Sequence, residues 1–201
     1  RSTLFPYTTL FRSFGQPDLT AKMFDEEGFY CIGDAGVFVD PTDPLQGIIF
    51  AGRVVEDFKL TTGTFVHVGS LRTDAIAAAT PVVHDALVAG QDREFIGLLC
   101  WPNLHACRQL VGNADASYED VIRHPAVIAC LEKGLQAHNA STTGSSMRIA
   151  RAMLMVEPPS IDGNELTDKG YINQRAGLER RAELVEKLYA EQPCGEVIVL
   201  C

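Results

Sequence analysis

Three short stretches of this 201-residue chain carry side chains whose type and setting suit the handling of a sugar hydroxyl or an anion. In Tyr30-Cys31-Ile32-Gly33-Asp34 a carboxylate follows a glycine, and an ionised carboxylate, being acceptor-only, can take two donors at once. Gly52-Arg53-Val54-Val55-Glu56 sets opposite charges just before Asp57 to Val66, two short runs that meet at Thr61-Thr62-Gly63. Pro158 to Gly170 is rich in Pro, Asp and Gly and holds Lys169, the one lysine between Lys133 and Lys187. A cation fixed in such a loop can stabilise negative charge that develops on an attacked oxyanion. Each stretch has a plainer use: Gly33-Asp34 as a turn, Arg53 and Glu56 as an exposed pair worth little, Lys169 as a solvated neighbour of Asp168.

Other chemistries find less support. The five histidines (His67, His84, His105, His124, His138) are dispersed, and no Ser, His and Asp set is suggested by spacing, so they read as core or surface residues. The six cysteines form no C-x-x-C pair and stand at no zinc spacing with histidine, so neither a disulfide framework nor a metal site is expected; they read as buried or inert thiols. Gly163-Asn164-Glu165-Leu166-Thr167-Asp168-Lys169-Gly170 lacks the Ser or Thr after Lys that a P-loop needs, and Asn139 to Ser146 reads as a flexible loop. The 17 Lys and Arg against 26 Asp and Glu leave a net charge of −9 with no basic stripe, which argues against nucleic acid. No apolar run reaches the roughly 18 residues of a membrane span, and no secretory leader is visible, so a cytoplasmic location is expected.

The elements that would position these residues can be read from punctuation and periodicity. Residues 1–13 are set aside, because Thr3 to Ser13 (TLFPYTTLFRS) reads as adapter-derived sequence. Residues 14–52 read as a β-meander with acidic turns and strands around Val37 to Val39 and Ile48 to Phe50. Residues 53–201 read as a compact α+β domain. It would open with a hairpin turning at Gly63, followed by a helix over Leu71 to Ala79 with Ser70 as its N-cap. VVHDALVAG and FIGLLCW, either side of a polar turn, predict an antiparallel pair. Helices capped by Asn103 and by the Ser117/Asp120 box, and one with Pro125 in its first turn, would follow. Ile149 to Val156 predicts a further strand, and Tyr171 to Glu191 a helix.

In order and wording, the three stretches resemble the motifs of adenylate-forming acyl-CoA synthetases. Tyr30 to Asp34 is similar to Y-x-T-G-D, Gly52 to Lys59 to the hinge motif G-R-x-[KD]-[DE]-x-x-K, and Pro158 to Gly170 to the C-terminal motif that bears the family's lysine. FDEEGFYCIGDAG, EDFKLTTGTFV and ELTDKGYINQRA look most like feruloyl-CoA synthases, and the resemblance runs from about Pro17 to Tyr189. It implies the small C-terminal domain of such an enzyme, a mixed sheet with flanking helices, preceded by a β-rich remnant of the large N-terminal domain.

The resemblance also implies roles. Asp34 and Arg53 would hold the ribose of ATP and of the acyl-adenylate; Val55 and Glu56 would be the hinge, with Val55 where Asp or Lys is usual. Thr62 and Gly63 would line the path of CoA, and Lys169 would serve adenylation, although alignment to a longer G-x-L-T variant puts Tyr171 at that place. ATP, CoA and Mg²⁺, the metal held mainly by the upstream domain, are the implied cofactors, and an aromatic acid such as ferulate the implied substrate. A chain without the phosphate loop and acid pocket would be inactive alone. Two alternatives stay open: a long-chain fatty-acyl-CoA synthetase, and a non-catalytic binding or interaction domain.

Overall fold

A computed structural model describes residues 14–200; the adapter-like reading of residues 1–13, and Cys201, lie outside them. The chain divides between Val55 and Glu56 into two compact units.

The first unit begins with helix α1 (Pro17–Lys22), within the stretch read as a β-meander without a helix. Pro17 in the first turn lacks only an N–H the helix does not need, while Asp18 and Lys22 complement the dipole at either end. The two strands expected further on do form: β1 (Asp34–Phe38) and β2 (Ile48–Arg53) pair antiparallel, with a bulge between Ala35 and Gly36. Their apolar residues are not covered. Val37, Phe38, Ile48, Ile49 and Phe50 are each at least half exposed, more than a two-stranded ribbon can bury against itself.

The second unit starts with a small antiparallel ribbon, β3 (Phe58–Lys59) and β4 (Phe65–Val66), closed through Thr61-Thr62-Gly63 with Gly63 at φ 83°. A positive φ is the conformation for which glycine carries no Cβ penalty. Helix α2 (Val68–Ala78) follows, three residues earlier than expected. Ser70 lies inside it and donates back to His67 O, while Val68 N is taken by Asp57 Oδ1 at 3.0 Å from across the ribbon. A distant carboxylate has replaced the local hydroxyl as partner, which no sequence window could foresee.

The centre is a four-stranded mixed sheet in the order β5-β6-β7-β8: β5 (Val83–Ala89), β6 (Ile96–Pro102), β7 (Ile149–Leu154) and β8 (Val197–Val199). The β5/β6 and β7/β8 pairs are antiparallel and β6/β7 is parallel. All seven residues of β6 are buried, as an inner strand covered on both faces requires. Its side chains alternate, Ile96, Leu98 and Cys100 entering one core and Leu99 and Trp101 the other.

The first core is closed by α2, α3 (Leu104–Val111), α4 (Tyr118–Arg123) and α5 (Pro125–Ser141), which form the crossover from β6 to β7 or flank it. Asn103 and the Ser117/Asp120 box occupy the expected caps, and Pro125 the expected first turn of α5, whose N-cap is His124. The second core lies under α6 (Gln174–Arg180) and α7 (Ala182–Tyr189), with Leu178, Leu184, Val185 and Leu188 facing the sheet. The single helix expected over Tyr171 to Glu191 is therefore two, starting at the Asn173 cap and broken at Arg181, whose side chain is drawn into a buried ion pair. Strand β8 was not expected, being three residues long and past a Pro-Cys-Gly turn.

One close approach yields a test. A Cβ on Gly134 in α5 would drive into the carbonyl of Ala78 at the end of α2, a backbone atom that cannot swing aside. Gly134→Ala is expected to destabilise the second unit by roughly 1–3 kcal/mol despite alanine's better helix propensity, read as a lower urea midpoint.

Candidate functional site

The structure brings two of the singled-out residues directly together. Asp34 opens β1 and Arg53 closes β2, and the register pairs them across the hairpin end. Directly opposite residues of an antiparallel pair share a face, with Cβ atoms about 4.5–5.5 Å apart. Both are exposed, and Val54 N donates to Gly33 O at 2.9 Å, locking the turn before Asp34 to the end of β2. An acceptor-only carboxylate and a donor-only guanidinium thus stand at paired positions on an exposed strand end. Val54 to Glu56 then form a single 3-10 turn, and Val55 is 83% exposed. The unit division falls within this turn.

The ribbon carrying Thr62 and Gly63 is rigid at its base and open at its tip. Phe58 and Leu60 are buried in the first core and press on Gly90, while Thr61, Thr62 and Gly63 are exposed. Leu60 N donates to Thr64 O and Gly63 N to Leu60 O, both at 2.9 Å, and Thr61 N is held by Arg93 O. The tip is also close to a segment first read as a flexible loop: Thr64 Oγ1 lies 3.4 Å from Ser145 Oγ. That segment is tethered, because Asn139 on α5 binds both backbone groups of Ile149 and His138 Nε2 meets Met147 O.

Lys169 sits at the tip of a miniature hairpin. Leu166 and Ile172 bridge across it, Thr167 N donates to Tyr171 O at 2.8 Å, and Gly170 turns at φ 78°. Lys169 and Tyr171 are both exposed, so position alone does not choose between them. Below the tip the loop is clamped. Glu165, fully buried, accepts from Arg181 Nε at 2.7 Å, from Arg181 Nη2 at 3.0 Å and from Ser160 N at 2.8 Å. Arg181 also donates to Pro158 O and lies over the Trp101 ring. Burial by itself would raise the Glu165 pKa; hydrogen bonds from Arg181 and Ser160 and the charges of Arg181 and Arg180 outweigh it and hold the carboxyl below its ordinary range. On the other side of the tip, buried Gln174 binds both backbone groups of Val88, covering the open edge of β5 like a further strand.

Neither clamp was foreseen: Glu165 and Gln174 lie inside a quoted motif stretch that does not reveal their partners, and Arg181 lies outside it, so the pairs meet only through the fold. The same holds for Asp57, whose Oδ2 lies 2.9 Å from His67 Nδ1, although His67 was read as a core or surface histidine. Of the cysteines, read as buried or inert thiols, Cys100 and Cys107 are buried, with burial raising their thiol pKa values to about 12 and about 11, whereas Cys31 and Cys194 are exposed.

From residue 67 to 193 the chain matches the family model described as AMP-binding enzyme C-terminal domain. It is 27% identical over 180 residues to the carboxylic acid reductase of Segniliparus rugosus, covering 89% of this chain and 14% of that protein. It is 23% identical over 205 residues to human long-chain-fatty-acid–CoA ligase ACSBG1, covering 92% of this chain and 28% of the ligase. The chain thus spans less than a third of either relative. Among solved structures, the A domain of the Segniliparus rugosus reductase, in complex with AMP and a co-purified carboxylic acid, superposes with a TM-score of 0.67 at 25% identity, over 89% of this chain and 26% of that one. An anthranilate CoA ligase in complex with anthranoyl-AMP shares the fold at 18% identity, with a TM-score of 0.54 over 88% of this chain and 28% of that one. A model matched over more than half of the residues, on a mixed sheet with helices on both faces, means that the chain belongs to the AMP-binding enzyme C-terminal domain family.

Proposed function

We propose that the chain is the C-terminal part of an AMP-forming acid–CoA ligase acting on ferulate or a related aromatic acid, with residues 14–52 the end of the large adenylation domain and residues 53–201 the mobile domain. The observation that carries this reading is the cross-strand pairing of Asp34 with Arg53, residues far apart in sequence that it assigns to one ribose. The uncovered apolar residues of β1 and β2 fit it as well, since they are what the edge of a larger β-rich domain would bury.

In the first half-reaction the substrate carboxylate attacks the α-phosphorus of ATP; an O–P bond forms and pyrophosphate leaves. Asp34 accepts hydrogen bonds from the ribose hydroxyls, Arg53 donates to the same sugar, and Lys169 meets the charge that builds on the carboxylate and phosphate oxygens. The mobile domain then turns about Val55 and Glu56, a boundary at which Val55 is exposed and a few residues can absorb the change in φ and ψ. CoA enters along Thr62 and Gly63, its sulfur attacks the acyl carbon, and AMP departs with the electrons of the broken C–O bond. Mg²⁺ accompanies ATP; among the described residues no group of three or more His, Cys, Asp or Glu could hold it, and no step here depends on it. The 201-residue chain alone is expected to be inactive.

A second reading, a long-chain fatty-acyl-CoA synthetase, is favoured by the ACSBG1 relatives, which match 92% of the chain. AMP release by the full-length gene product with ATP, Mg²⁺ and CoA, over a panel running from ferulate to palmitate, separates the two. Turnover with aromatic acids supports the first reading and turnover with fatty acids alone the second; silence across the panel would point to a non-catalytic domain. In an active enzyme, Asp34→Ala is expected to raise the KM for ATP about 10- to 100-fold, the worth of hydrogen bonds to a charged acceptor.

A further inference from the structure

Asp57 and His67 form a dyad to which the ligase reading assigns no part. The Asp57 side chain is 4% exposed and that of His67 55% exposed. Both Asp57 oxygens are engaged, Oδ1 by Val68 N at 3.0 Å and Oδ2 by His67 Nδ1 at 2.9 Å. An acceptor-only carboxylate at that distance requires the proton on Nδ1, so the lone pair of the neutral ring lies on Nε2, the other edge of an exposed imidazole. Asp57 is the charged group the ring touches, and the Phe65 ring packs edge-on at 5.0 Å between centroids.

The place of the dyad gives it a use. Val66 in β4 and Val68 at the start of α2 are buried in the core, whereas Phe65 and His67, which alternate with them, are exposed. These exposed residues follow the exposed tip at Thr62 and Gly63. A thiol-bearing arm passing the tip would run over Phe65 to His67.

We propose that His67, oriented by Asp57, is the general base for the thiol in the second half-reaction, an assignment that rests on the ligase reading above. The S–H proton passes to His67 Nε2 as the S–C bond forms; the acyl C–O bond breaks, and AMP leaves with its electron pair. The resulting imidazolium is stabilised by Asp57 and returns its proton to water. Asp57→Asn would keep an oxygen for Val68 N but present an N–H to Nδ1, placing the ring proton on Nε2 and removing the base.

The test is single-turnover transfer from synthetic feruloyl-adenylate and palmitoyl-adenylate to CoA by the full-length protein, followed from pH 6 to 10. Expected is a fall of about 10²-fold near neutral pH for His67→Ala, at the lower end for loss of a general base. The deficit should shrink at high pH, where the thiol ionises unaided, and added imidazole should restore rate to His67→Ala but not to Asp57→Asn. A His67→Ala protein with the wild-type rate and pH profile would overturn the base while leaving the ligase reading intact. A wild-type protein that transfers neither acyl group to CoA would overturn that reading and the proposal with it.

Discussion

Replacing Arg181 by alanine is expected to destabilise the second unit by about 3–5 kcal/mol, because it strands a buried carboxylate. Glu165 is fully buried and Arg181 is 6% exposed; they share two hydrogen bonds, and a third from Arg181 reaches Pro158 O. With the guanidinium gone, Glu165 keeps Ser160 N and the longer 3.5 Å contact to Arg180. Urea unfolding of the chain measures the loss, and Arg175→Ala, which removes an exposed pair with Glu179 one helical turn away, is the control that should leave the midpoint unchanged. A midpoint unmoved by Arg181→Ala would mean that the clamp holds nothing. The same pair sets a pH dependence. Since the Glu165 pKa is depressed in the folded state, its contribution is fully present above the unfolded glutamate value of about 4.3 and is lost as pH falls through the lower folded value. Acid titration of the unfolding midpoint should show this loss, and Glu165→Gln should flatten it.

Lys169→Ala in the full-length protein is expected to slow adenylation by about 10²- to 10³-fold, the usual cost of removing one fixed group that stabilises charge in the transition state. Acid-dependent exchange of pyrophosphate into ATP reads this half-reaction without the second. The turn from Thr167 to Tyr171 presents both Lys169 and Tyr171 to solvent, so Tyr171→Phe is the necessary companion. Loss in the lysine variant alone assigns the role to Lys169. Loss in the tyrosine variant alone moves it to Tyr171, and the chain would then adenylate without the usual cation. The two experiments are linked through the clamp, because the tip is held on one side by Glu165 with Arg181 and on the other by Gln174 with Val88. A clamp variant that stays folded should lower adenylation as well, by letting the tip wander.

What the sequence by itself determined was whatever depends on neighbours in the chain. The α+β class, the β5/β6 pair, the caps at Asn103 and Ser117, the first-turn Pro125 and the glycine turn at Gly63 follow from periodicity and turn chemistry acting over a few residues. The motif stretches at Asp34, Arg53 and Lys169 were visible for the same reason. Local signals were passed over at α1, where a proline start opened a helix inside the stretch read as a meander, and misled at Ser70, where a nearby hydroxyl looked like a cap. Only the tertiary structure decided which buried charges meet. Glu165 finds Arg181, Gln174 finds Val88 and Asp57 finds His67 across 16, 86 and 10 residues of chain. Such pairs have no signature in a sequence window, because a buried polar group is satisfied by whatever donor the packing of sheet and helices brings within about 3 Å of it.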